Sequence, residues 1–219
     1  MVKLKICGMK YHDNILEAAS LQPEYMGFIF YPGSKRFLSG KIPDISEKIK
    51  KTGVFVNQPI DEVIQRIKEF KLDAVQLHGD ETVLYCTELL IELEPLKKGD
   101  KKLEVIKAFA IEENFDFDTL EPYKEACDFF LFDSKGKARG GNGMVFNWEI
   151  LRNYTQKKPY FLSGGIGLEA SESLQFFLAS ESGKKCYALD INSRFEIEPG
   201  RKDLEKLKVF GRNSFFNNE

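Results

Sequence analysis

Eight short apolar runs, each followed by a longer or compressed stretch of helical pattern, constrain this chain more than any other feature. The runs are "KLKIC" (3–7), "YMGFIF" (25–30), "GVFV" (53–56), "AVQLH" (74–78), "LEVIKAF" (103–109), "DFFLF" (128–132), "PYFLS" (159–163) and "CYALD" (186–190). Several are apolar nearly throughout, as strands buried on both faces of a parallel sheet are. The intervening segments carry a different period. "DNILEAASL" follows the first run. "PIDEVIQRIKEFK" follows the third, with Ile60, Val63, Ile64 and Ile67 on one helical face and Pro59 suited to a first turn. "ETVLYCTELLIEL" follows the fourth, with Asp80 as its candidate N-cap. "EASESLQFFLAS" and "RKDLEKLKVFGR" follow the seventh and eighth. A short second helix is expected over "DISEKIKK" (44–51). The fifth and sixth are weaker, since "FDTLEPYKEA" contains Pro122 and "NWEILRNYT" is brief.

Eight such units within 219 residues describe a (β/α)₈ barrel, an α/β fold of eight parallel strands ringed by helices, as a single domain over 1–219. An open doubly wound sheet is the alternative. The charged stretch at 93–104 reads as a surface excursion. Net charge is −2 with no long basic patch, which argues against a nucleic-acid partner. No apolar stretch approaches the roughly 20 residues of a membrane helix, and the N-terminus lacks a signal-peptide core, so a cytoplasmic protein is expected. The four cysteines, Cys7, Cys86, Cys127 and Cys186, are widely spaced, and the histidines are only His12 and His78. Neither a disulfide framework nor a metal site is expected from them.

In a barrel, the site lies where strands end and loops begin. Those positions hold Cys7-Gly8 after the first strand, Ser34, Lys35 and Arg36 after the second, and Gln76 and His78 at the fourth. Asp133 ends the sixth, Ser163, Gly164 and Gly165 the seventh, and Asp190, Asn192 and Ser193 the eighth. Loops seven and eight are where such barrels commonly take phosphate. "LSGGIG" with "DINS" suits an anion through bare amides and short polar side chains. The plainer reading of the glycines is that they make turns. Cys7 is either a small buried hydrophobe or a base, and Asp133 either an N-cap or an acid. Strands one and six are three steps apart in the ring, so a thiol and a carboxyl there can flank one ligand and move protons on both sides of it. Arg36 is either a surface cation or a two-pronged carboxylate holder. "RGGNG" (139–143) reads as a loop over the site or as a plain loop, without the ending that a nucleotide-binding P-loop needs.

Together these residues resemble the phosphoribosylanthranilate isomerase family of tryptophan biosynthesis, almost end to end. "KICGMK", "MGFIFYPGSKRFLS", "GVFVN", "VQLHGDE", "LFDS" with "GGNGMVFNW", "LSGGI" and "DINSRFEIEPGRKD" occur in the family's order. The resemblance implies a barrel needing neither metal nor organic cofactor, acting on a phosphosugar as a monomer or homodimer. It implies an Amadori rearrangement of N-(5-phosphoribosyl)anthranilate to 1-(2-carboxyphenylamino)-1-deoxyribulose 5-phosphate. Asp133 would then be the general acid and Cys7, as thiolate, the general base. Arg36 would hold the anthranilate carboxylate, and Gln76 and Asp190 would line the pocket. Gly164, Gly165, Asn192 and Ser193 would bind phosphate. Such roles lead one to expect the Cys7 pKa lowered by nearby positive charge and the Asp133 pKa raised by burial. The chain departs from the family where "GGNGMVFNW" lacks a common threonine and where "NS" stands for two common serines. Another phosphosugar isomerase or epimerase barrel, and a non-catalytic phosphosugar-binding protein, are the competing readings.

Overall fold

The computed structural model describes residues 1–96, 102–134 and 148–216. All eight expected strands are present: β1 (Lys3–Ile6), β2 (Tyr25–Ile29), β3 (Lys50–Phe55), β4 (Ala74–Leu77), β5 (Glu104–Ile111), β6 (Phe129–Ser134), β7 (Tyr160–Ser163) and β8 (Cys186–Ile191). Each pairs in parallel with the next, and β1 pairs with β8, so the sheet closes into a barrel. Helices α1 (His12–Ala19), α2 (Ile60–Phe70), α3 (Val83–Leu93), α4 (Ser171–Ala179) and α5 (Leu204–Gly211) pack around it. A two-stranded hairpin, β9 (Glu196–Glu198) with β10 (Arg201–Lys202), sits between β8 and α5.

Closure explains why the strands read as continuous apolar runs. One side of each strand faces the lumen and the other the helices, so both must be filled. Leu4, Ile6, Phe28, Phe55, Val75 and Phe132 belong to the layer between barrel and helices. Tyr25, Ala74, Ile106, Leu131, Phe161 and Ala188 form a separate cluster within the barrel. At the N-terminal end of the lumen, the Tyr25 hydroxyl donates to Glu104 at 2.9 Å and Lys3 to Tyr187 at 2.6 Å. The polar cavity lies at the opposite end.

Two expectations about local structure fail, each for a visible reason, and the two weak helices are found in compressed form. No helix forms over 44–51. The backbone of Lys50 and Lys51 is taken by the ladder with β2, in register with Tyr25 and Met26, and too few residues remain to nucleate a helix. Asp80 is not the N-cap of α3. Its N–H donates to Asn57 Oδ1 at 2.7 Å, and Thr82 caps instead, accepting from the Tyr85 N–H at 3.2 Å. The weak fifth and sixth helices shrink to 3₁₀ segments, Phe117–Tyr123 and Trp148–Asn153. In the first, Pro122 has no N–H with which to continue an α-helical ladder.

Candidate active site

A cavity of about 320 Å³ opens at the C-terminal end of the strands. Its wall includes Cys7, Gln76, Asp133, Gly164, Gly165, Asp190, Asn192 and Ser193, together with His78, Ser163 and Arg194. Of the residues to which the resemblance assigns a role, Arg36 is the one absent from that lining. The loop at Arg139–Gly143 lies outside the described residues.

Cys7 follows β1, its N–H donating to the Ile191 carbonyl at 2.9 Å. Gly8 then turns the chain at φ +74°, a left-handed conformation, and a Cβ there would lie 2.7 Å from Arg36 Cδ. Gly27 on β2 leaves the room that the thiol fills: a Cβ added to it would lie 2.6 Å from Cys7 Sγ. Gly27→Ala is therefore expected to displace the thiol and lower stability by about 1–3 kcal/mol through overpacking, read from a urea unfolding curve.

The sequence-based expectation for the thiol is overturned. Burial pushes the Cys7 pKa up. Lys5 and Lys202 pull it down, but loss of hydration and the nearby Asp190 carboxylate outweigh them. That direction favours the thiol over the thiolate at neutral pH. Asp133, across the mouth, is not sealed away: its side chain is 29% exposed, against the buried setting that the sequence reading expected.

Between these two groups runs a polar chain that begins with a residue the sequence reading missed. Lys5 is fully buried, its Nζ donating to Gln76 Oε1 at 2.7 Å and to Asp190 Oδ1 at 2.9 Å. An ammonium only donates, so the Gln76 oxygen must face it. The Gln76 amide nitrogen is then left to donate to His78 Nδ1 at 2.7 Å. Nδ1 accepts, the imidazole proton resides on Nε2, and Nε2 faces Asp133 Oδ2 at 3.4 Å. Strand parity carried the signal for Lys5, since Lys3, Lys5 and Cys7 fall on one face at period two.

A second set of buried groups braces the β4 loop. Glu81 meets Lys107 Nζ at 3.1 Å and accepts from the N–H groups of Asn57 and Gly79. Lys107 in turn donates to the Gly79 carbonyl at 2.8 Å. Both the N–H and the carbonyl of Gly79 are thereby held, directly after His78.

Gly164 and Gly165 adopt φ values of +89° and +67°, a conformation glycine takes without penalty. Asn192, beside them, is already engaged: its Oδ1 accepts from Lys202 Nζ at 2.7 Å. Lys202 is buried and also donates to Glu196 at 2.8 Å. Arg36 reaches the same carboxylate, Nε at 2.8 Å and Nη2 at 2.6 Å. The two-pronged carboxylate grip expected of Arg36 exists, but the carboxylate is Glu196 of this chain. Loss of hydration acts to raise the Glu196 pKa, yet the bonds from Arg36 and Lys202 prevail and hold it below the usual range. "EIEPGRK" reads as a hairpin about Pro199-Gly200, which could have brought Glu196 and Lys202 together from sequence. Among the described residues, no group of three or more His, Cys, Asp or Glu side chains is arranged to hold a metal ion, and no helix is long and apolar enough to cross a membrane.

A closed parallel barrel whose mouth sets a thiol opposite a carboxyl, beside glycine turns and cations, defines an enzyme of the acid–base (β/α)₈ class. The sequence model for N-(5′-phosphoribosyl)anthranilate isomerase matches residues 4–213. N-(5′-phosphoribosyl)anthranilate isomerase of Parabacteroides distasonis is 40% identical over 213 residues, covering 94% of this chain and 90% of that one. The enzyme of the same name from Phocaeicola vulgatus is 37% identical, covering 94% and 95%. Among solved structures, phosphoribosylanthranilate isomerase from Thermotoga maritima superposes with a TM-score of 0.78 at 28% identity, covering 98% of this chain and 99% of that one. A phosphoribosylanthranilate isomerase in complex with reduced 1-(o-carboxyphenylamino)-1-deoxyribulose 5-phosphate gives 0.77 at 26% identity, with the same coverage. This chain belongs to the N-(5′-phosphoribosyl)anthranilate isomerase family.

Proposed function

We propose that this enzyme, an isomerase of tryptophan biosynthesis, rearranges N-(5′-phosphoribosyl)anthranilate with Asp133 as general acid and Cys7 as general base. The observation that carries the reading is that both residues, ending β6 and following β1, line one cavity. Asp133 gives its proton to the furanose ring oxygen as the C1–O bond breaks. The nitrogen lone pair then forms C1=N, an iminium. The Cys7 thiolate takes the proton from C2, and that electron pair forms C1=C2 while the iminium electrons return to nitrogen. The enolamine so formed tautomerises to the ketone. His78 Nε2–H, aimed at Asp133 Oδ2, orients the carboxyl and leaves Oδ1 to carry the proton.

The Gly164–Gly165 turn and the Asn192–Ser193 corner form the phosphate end, helped by Arg194. Gln76 and Asp190 form the floor of the site. Arg36 holds the anthranilate carboxylate through its second edge: Glu196 occupies Nε and Nη2, and the Nη1 side is the one a ligand carboxylate would use. The whole chain acts as one domain, in the cytoplasm as befits amino-acid synthesis, as a monomer or homodimer and without metal or cofactor.

An anthranilate-fluorescence assay with freshly made substrate tests the activity, and absence of turnover would refute it. Arg36→Met is expected to raise KM about 10–100-fold with a smaller effect on kcat, since a charged hydrogen bond is worth about 1.5–3 kcal/mol. Lys202 still neutralises Glu196 in that variant. A substrate analogue lacking the carboxylate should not distinguish the variant from the parent enzyme.

A further inference from the structure

We propose that Lys5, sealed beneath the cavity, is the counter-ion that sets how readily Cys7 ionises, with Asp190 competing against the thiolate for the same charge. This inference rests on the reading of Cys7 as the base. Lys5 cannot act on substrate directly, because no part of it is exposed. It is a positioning residue that works through the sulfur.

The geometry is a matter of counting. An ammonium has three N–H groups. Two of those of Lys5 go to Gln76 Oε1 at 2.7 Å and to Asp190 Oδ1 at 2.9 Å, and Cys7 lies two residues further along the same face of the chain. Lys5 and Asp190 are also direct neighbours in the β1–β8 ladder, so the pair is fixed by backbone register. Gln76 is neutral. The one positive charge is thus divided between a carboxylate and a sulfur.

The other charges near Cys7 are already committed. Arg36, from the loop after β2, grips Glu196 in two places. Lys202, on β10, is bound to the same Glu196 and to Asn192. Both exert a pull on the thiolate from a distance, each diluted by Glu196. Lys5 on β1 and Asp190 on β8 are the groups whose balance is open. Withdrawing Lys5 leaves a thiolate in a dry site facing a carboxylate. Withdrawing the Asp190 charge leaves Lys5 to the sulfur alone. In a poorly hydrated site both changes are felt strongly, and they have opposite signs.

The test is a titration of Cys7 in the substrate-free protein. Thiolate absorbance in the ultraviolet is followed against pH and taken as the difference between each protein and its Cys7→Ser counterpart, which removes the signals of the other cysteines and the tyrosines. Lys5→Met is expected to raise the Cys7 midpoint by about one pH unit or more, a tenfold loss of thiolate at a given pH. Asp190→Asn, which keeps an oxygen for Lys5 to bind, is expected to lower it. The limb of the kcat/KM profile that reports the base should move with the midpoint in each case. Lys5→Arg, which retains the charge, should return the midpoint toward that of the parent. If Lys5→Met fails to fold, the Asp190→Asn arm decides alone. A midpoint that stays put in Asp190→Asn, or that rises, overturns the proposal. Turnover that survives Cys7→Ser would instead overturn the assignment of the base and leave the titration result standing.

Discussion

Asp133→Asn is expected to lower kcat/KM by about 10³-fold and to leave the fold intact. General acids contribute roughly 10²–10⁴ in rate, and an amide of the same shape has no proton to give. Ring opening is the step that suffers, since an unprotonated alkoxide is a poor leaving group. The lost interaction exists only in the transition state, so kcat and kcat/KM should fall together, with KM nearly unchanged. The fold should survive because the carboxyl is 29% exposed and its close partner is His78 at 3.4 Å. The strand itself is held by the ladder in which Asp133 pairs with Ala110 and Ser163. An exposed pair of that kind is worth about 0–1 kcal/mol, so urea midpoints should nearly coincide. A variant that keeps a third of its turnover would remove Asp133 from the mechanism.

Cys7→Ser should cost a similar factor, about 10²–10⁴, for a different reason. The hydroxyl fits the space above Gly27, so the site should assemble. A hydroxyl there does not ionise near neutrality, and the base is lost. The pH dependence makes the assignment specific. Since burial pushes the Cys7 thiol up, the thiolate is the minor form at neutral pH, and its share grows about tenfold per unit as pH rises. The proposed mechanism needs the thiolate, so the kcat/KM profile of the parent enzyme should climb with pH as that share grows. In Cys7→Ser this rise should disappear from whatever rate remains. A profile that keeps the same rise in Cys7→Ser would show that the sulfur was never the base.

The strand ends were readable because a barrel puts its chemistry there, whatever the chemistry is. That rule, applied to the apolar runs, located eleven residues that line one cavity. It named Arg36 but not the partner its guanidinium meets, Glu196, on a hairpin 160 positions away. Nor did it find Lys202, which a polar tail sequence hides among solvated lysines. The short helix expected at 44–51 shows the limit of local pattern: Ile45 and Ile49 have helical spacing, but the backbone of Lys50 and Lys51 belongs to β3. Pro122 was a legible warning, and the segment containing it did tighten to 3₁₀.

The eight strands and the polar residues at their ends are legible in the sequence, since burial on both faces of a parallel sheet demands unbroken apolar runs and leaves the polar residues to the ends. Closure of the sheet, β1 against β8, is decided by the tertiary structure, because an open doubly wound sheet asks for the same runs. The ionisation of Cys7 is decided there too. It is the sum of lost hydration and of charges on β1, β8, β10 and the loop after β2, and that sum has no value until closure brings those segments within a few ångströms of one sulfur.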